Sequence, residues 1–178
     1  LVVGFGDYRA RLEELADPER TLFTGPLEHR HLVHLLALAD VCVVPSIFPE
    51  AFGMVAAEAG GGGGPPPGAP PPPPAPHTPP RHAGDPPPPP ARAACPPLVA
   101  RHSGLAEIAA GLEAEYPPTL RALASFRTGD VADLRGKLRA LLALPAADRR
   151  VLSEAARRAA VRRWSWAEVA ERLLVLSR

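Results

Sequence analysis

The chain has 178 residues with 20 Lys+Arg against 19 Asp+Glu, a formal net charge of +1 that points to no polyanionic partner. Of its 25 prolines, 18 fall between Pro65 and Pro97, and seven of its 15 glycines fall between Gly60 and Gly84. That tract cannot pack a core, so about 140 residues are left to build one modest domain. No run approaches the roughly 18 apolar residues of a membrane span, and two cysteines make no disulfide framework, in keeping with a reducing cytoplasm. Because the chain opens on a strand-like run, no leader peptide is expected.

Leu1-Val2-Val3-Gly4-Phe5-Gly6 is a β-rich run closed by glycines. Arg9 to Ala16 reads as a helix with Leu12 and Leu15 on one face. Thr21 to Thr24 is a second short strand, stopped by Gly25-Pro26, and His31 to Ala39 an apolar helix. Val41-Cys42-Val43-Val44 is continuous rather than alternating, as in a parallel strand covered on both faces. A loop carrying Glu50 follows, and a helix starts near Gly53 and is cut at Gly60. Beyond the tract, Leu98 to Ala100 is a strand and Leu105 to Ala110 a short helix. Val131 to Leu144, Asp148 to Arg163 and Trp166 to Leu176 read as three further helices. Strand–helix alternation with short strands predicts an α/β fold with a parallel sheet. Residues 1–59 and 98–178 are then two parts of one domain, interrupted by a low-complexity insertion over 60–97. That insertion is either a disordered loop or a sequence artefact, or else a polyproline ligand for a partner.

Charge is unevenly spread. Residues 148–178 hold eight Arg and four acids, with Arg pairs striping a helix beside Trp164 and Trp166. A solvated face is expected there, with the tryptophans anchoring the last two helices and a nucleic-acid or anionic-membrane surface as the alternative. His29, His31 and His34 lack Cys or Glu at tight spacing, so no metal site is expected. Gly4 and Gly6 sit where a phosphate-cradling turn belongs, but no third glycine completes a dinucleotide fingerprint.

Glu50 and Glu58 carry more information. Glu50 follows the buried-type strand at its carboxyl end, where open α/β sheets place their ligands. Phe52-Gly53-Met54-Val55 sets a glycine and free backbone amides at a helix start, and Glu58 lies one turn further on. Two carboxylates flanking such amides suit a ligand that bears both phosphates and hydroxyls. His102-Ser103-Gly104 is a second strand-end loop, where Ser103 would cap the next helix or help to hold a phosphate.

Pro45 to Glu58, with its glutamate–seven-residues–glutamate spacing, resembles the motif of the group 1 retaining glycosyltransferases of GT-B fold, the glycogen-synthase-like and sucrose-synthase-like superfamily. The resemblance takes in Leu1–Ala16, Phe23-Thr24-Gly25, Ala39-Asp40-Val41, Pro97–Ile108, Phe126–Leu144 and Trp164–Leu174. It implies a Rossmann-like parallel sheet with flanking helices, the C-terminal, donor-binding half of a GT-B fold, incomplete at its N-terminus. It implies transfer of a sugar from a UDP-, GDP- or ADP-sugar to a carbohydrate or small-molecule acceptor, with retention of configuration and with no metal or other cofactor. Glu50 would stand at the donor sugar as the catalytic carboxylate, and Glu58 at the ribose hydroxyls. Phe52, Gly53, Met54 and Val55 would line the sugar–diphosphate path, with Gly6, Gly25, Ser103 and Gly104 also on the donor side. The acceptor domain and the diphosphate-clamping Arg and Lys of the family lie outside this sequence, so the isolated chain is expected to be inactive. A cytoplasmic location is expected, with a peripheral position at the cytoplasmic membrane face as the alternative, and no nucleic-acid partner. The alternatives are a non-catalytic Rossmann-like module that recruits a partner through its Pro-rich tract, and an enzyme of the nucleotide-sugar epimerase kind.

Overall fold

A computed structural model describes residues 1–62, 94–165, 168 and 174. In chain order these form β1 (Val2–Val3), α1 (Arg9–Leu15), β2 (Phe23–Gly25), α2 (His29–Leu38), β3 (Cys42–Val44) and α3 (Met54–Gly61). There follow β4 (Pro97–Ala100), α4 (Ser103–Glu115), a 3-10 turn at Arg121–Leu123, β5 (Ser125–Phe126), α5 (Val131–Ala143) and α6 (Ala146–Trp164). All strand pairs are parallel and joined through helices, the α/β arrangement with flanking helices that the alternation predicts.

The strands fall into two ladders. β1 pairs with β2, while β3, β4 and β5 pair in that order. Central β4 is buried at all four positions, while β3 is buried at Val44 and partly covered at Cys42 and Val43. The main core gathers Leu98, Val99, Leu105, Ile108, Leu112, Phe126 and Leu152 with an alanine stripe on α6. Ala155, Ala156, Ala159 and Ala160 let α6 lie close on α3 and α4. The same closeness explains Gly60 and Gly111. A Cβ on Gly60 would meet the Ala156 carbonyl at 3.3 Å, and one on Gly111 would strike the Trp164 ring at 2.6 Å.

Several boundaries move from their expected places. At the edges of the Gly/Pro-rich tract, Gly60 and Gly61 complete α3, and Ala94 to Pro97 are buried. Ser153 on α6 anchors that return, donating to the Ala94 carbonyl at 2.5 Å and accepting from the Ala94 amide at 3.0 Å. The helix expected over 105–110 runs from Ser103 to Glu115, because Ile108, Ala109, Gly111 and Leu112 continue its buried face. β5 is not evident from sequence: two residues give no periodicity, and Ser125 breaks the apolar pattern. Most of the tract, and nearly all of the helix expected over Trp166–Leu176, lie outside the described residues.

The start of α5 illustrates local specification. The Asp130 side chain accepts from the Asp133 amide at 2.8 Å, and Asp133 accepts from the Arg127 amide at 2.8 Å. The first bond satisfies a backbone donor that the helix leaves free, and the second ties the helix start to the turn before it.

Candidate functional site

Two loops meet at the carboxyl ends of β3 and β4. The first, residues 45–53, carries Glu50 and ends at Gly53, whose φ of +86° is one that glycine adopts without strain. A Cβ there would overlap Leu105 Cδ2 at 2.5 Å and lie 3.6 Å from Glu50 Oε2. Gly53 therefore lets α3 start directly under the Glu50 carboxylate. The Ala56 and Ala57 amides bond back to the Gly53 carbonyl, which leaves the amides of Met54 and Val55 in the first turn without intrahelical acceptors.

The second loop, residues 101–104, holds the first in place. Ser103 Oγ donates to the Glu50 carbonyl at 3.0 Å and accepts from the Glu50 amide at 3.0 Å. The Gly104 amide also donates to the Glu50 carbonyl at 3.0 Å. His102 Nε2 lies 2.8 Å from the Ser46 carbonyl, and Ser46 Oγ donates to Glu50 Oε1. Gly104 sits so tightly against the first loop that a Cβ would come within 2.5 Å of the Ala51 carbonyl oxygen. Ser103 does not cap α4, as the sequence suggests; its hydroxyl is committed to Glu50 in both directions, and its φ is +42°. Gly104 acts by its smallness and its amide.

Glu58 lies on α3, partly buried, with His29 Nδ1 of α2 at 3.5 Å. A protonated His29 would pair with it. This partner becomes visible only once α2 packs beside α3.

Gly6 and Gly25 belong to the other ladder. The Gly4 amide donates to the Gly25 carbonyl at 2.9 Å, and the Arg9 amide to the Gly6 carbonyl at 3.1 Å. Among the described residues, no hydrogen bond or ion pair joins either glycine to Glu50 or Glu58. The structure thus gathers Glu50, Phe52, Gly53, Met54, Val55, Glu58, Ser103 and Gly104 around α3 and leaves Gly6 and Gly25 at the ends of β1 and β2. His102 and Ser46 are the site residues that sequence reasoning did not single out. A histidine two residues past a parallel strand was the available signal.

Arg101, at the end of β4, is engaged within the protein. Its guanidinium pairs with Glu113 and reaches Ser125 Oγ at 3.1 Å, and the hydrogen bonds it donates to Glu113 raise its pKa above the usual guanidinium range. On β3, burial pushes the Cys42 thiol up to about 11, so it is no nucleophile at neutral pH. Among the described residues no group of three or more His, Cys, Asp or Glu is placed to hold a metal ion, and no helix is long and apolar enough to cross a membrane.

Residues 1–65 match the family model described as glycosyl transferases group 1. The matched stretch is about a third of the chain and includes both Glu50 and Glu58. It supports glycosyl transfer as the general class of activity, with a nucleotide-sugar and an acceptor as the substrates that class employs. No curated protein and no solved structure matches the chain.

Proposed function

We propose that this chain is the donor-binding half of a retaining, nucleotide-sugar-dependent glycosyltransferase of GT-B fold. One observation carries the reading: Glu50 and Glu58 flank the amide-bearing start of α3, at the carboxyl end of β3, inside the stretch that matches the group 1 model. The diphosphate of the donor is met by the Met54 and Val55 amides and the positive end of the α3 dipole. Glu58 accepts hydrogen bonds from the ribose hydroxyls, in place of its contact with His29. Glu50, oriented by Ser46, faces the sugar, where its fixed negative charge stabilises the positive charge that develops at the anomeric carbon.

Strand order adds support. In a doubly wound sheet of order 3-2-1-4-5-6, β2 and β1 would be the third and second strands. β3, β4 and β5 would be the fourth, fifth and sixth, so the break between ladders falls where the first would run. Gly6 and Gly25, which no bond ties to Glu50, approach the nucleotide from the β1–β2 side in this arrangement. The donor is a substrate rather than a resident cofactor. We place the protein in the cytoplasm, with its Arg-rich α6 available to a membrane face, and assign acceptor binding to a separate domain.

Calorimetric titration of the chain with UDP, GDP and ADP tests the reading. One of the three is expected to bind, and Glu58→Ala to weaken that binding about tenfold, as fits loss of hydrogen bonds to a charged acceptor. A folded sample that binds none of them overturns the reading.

A further inference from the structure

We infer that His102 is a positioning residue for Glu50, acting through the backbone of Ser46. The inference rests on the reading of Glu50 as the donor-side carboxylate. A carbonyl oxygen only accepts, so the 2.8 Å contact requires the proton on His102 Nε2. An ionised carboxylate only accepts as well, so Ser46 supplies the proton in its bond to Glu50 Oε1. The result is a directed chain: His102 Nε2–H to the Ser46 carbonyl, then Ser46 Oγ–H to Glu50. Fixing the Ser46 peptide fixes the origin of the side chain that aims the carboxylate.

The loop has little else to hold that end. Ile47 and Phe48 are exposed, and Pro49 has no amide to donate. Its far end is strapped separately, by Ser103 Oγ and the Gly104 amide on the backbone of Glu50. Ser103 holds its strap at a left-handed φ of +42°, which L-residues seldom adopt. His102 and Ser103 are thus adjacent residues that grip opposite ends of one five-residue span, Ser46 to Glu50. The first sets the direction of the carboxylate and the second the height of its backbone.

The test follows the Glu50 and Glu58 side-chain carboxyl resonances by carbon-13 NMR in the full chain. His102→Ala is expected to move the Glu50 resonance and leave that of Glu58 in place. His102→Gln, whose side-chain amide can reach the same carbonyl, is expected to restore the wild-type position, and His102→Asn, one methylene shorter, to fail to do so. A merely structural role would not be rescued by Gln and refused by Asn. Whichever of UDP, GDP and ADP binds the wild type should bind His102→Ala about three- to tenfold more weakly and His102→Gln within about twofold. An unmoved Glu50 resonance in His102→Ala overturns the inference; if that variant does not fold, the Asn and Gln pair decides it. Failure of every nucleotide to bind the wild type sinks the donor reading, and the resonances still decide whether His102 aims Glu50.

Discussion

The β1–α1–β2 and β4–α4–β5 units are the same motif, two parallel strands joined by a helix, and they are built very differently. α4 has 13 residues, of which five are buried, and its strand β4 is covered at every position. α1 has seven residues and buries none; Leu12 is 42% exposed, and Phe5 in the turn before it is 86% exposed. The reason is what lies next to each. β4 is flanked by β3 and β5, and α4 is covered by α6, whereas among the described residues β1 pairs with β2 alone, and α1 reaches β2 through Arg9, over the Phe23 ring, besides its own Arg9–Glu13 and Arg11–Glu14 pairs. Such exposed pairs are worth only about 0.2–0.5 kcal/mol each. An amphipathic pattern therefore says which face seeks cover, and the neighbouring layers decide whether it is found.

The sharpest way to break this contrast is to truncate one side chain in each unit. Ile108→Ala, in the fully buried face of α4, is expected to cost about 3 kcal/mol in denaturant unfolding. Leu12→Ala should cost well under about 1 kcal/mol. Equal losses would mean that α1 is as deeply packed as α4. Next in size is Gly104→Ala, which forces a Cβ against the Ala51 carbonyl; about 2 kcal/mol of destabilisation and a loosened Glu50 loop are expected, read by thermal melting and nucleotide titration.

A gain is expected at Tyr116, at the end of α4. Among the described residues its buried hydroxyl has no hydrogen-bond partner, and burial drives its pKa far above the phenol range. Tyr116→Phe removes a desolvated donor and should stabilise the fold by about 1 kcal/mol. A lower denaturation midpoint in that variant would mean the hydroxyl is satisfied in solution. The smallest effect concerns the α5 cap. The Arg127 amide, and then the charges of Lys137 and Arg127, hold the Asp133 carboxyl below its usual range. A depressed folded pKa means stability that is present above the unfolded value and lost as pH falls through the folded one. Asp133→Asn should therefore flatten the acid limb of stability against pH, by less than about 1 kcal/mol at so accessible a site.

Much of the fold is legible in the sequence because its strands and helices are bounded by chemistry that acts locally. Gly25-Pro26 stops β2, Pro45 follows β3, and Asp130 caps α5. The pair Glu50 and Glu58, with Gly53 between, is legible for the same reason: its spacing is written along one loop and one helix. What escaped is what depends on two distant segments meeting. The Ser103 hydroxyl pairs with Glu50, 53 positions away, and His102 with Ser46, 56 away. Read locally, Ser103 is a helix cap and His102 a loop residue. The two-ladder division escaped likewise, since periodicity identifies strands and not their neighbours.

The register of the sheet has a kinetic consequence. Val44 pairs with Val99 across 55 positions, while Val99 pairs with Ser125 across only 26. Closing a loop twice as long costs about 0.6 kcal/mol more in chain entropy, and that cost falls on the route to the native state. Within this three-stranded ladder the β4–α4–β5 unit is then expected to form first, and the strand that delivers Glu50 to dock later. Deleting residues 63–93 would reduce the separation from 55 to 24 positions, nearly that of the second pair. Stopped-flow refolding of such a variant should run about threefold faster if docking of β3 limits the rate, and at an unchanged rate if formation of the β4–α4–β5 unit does.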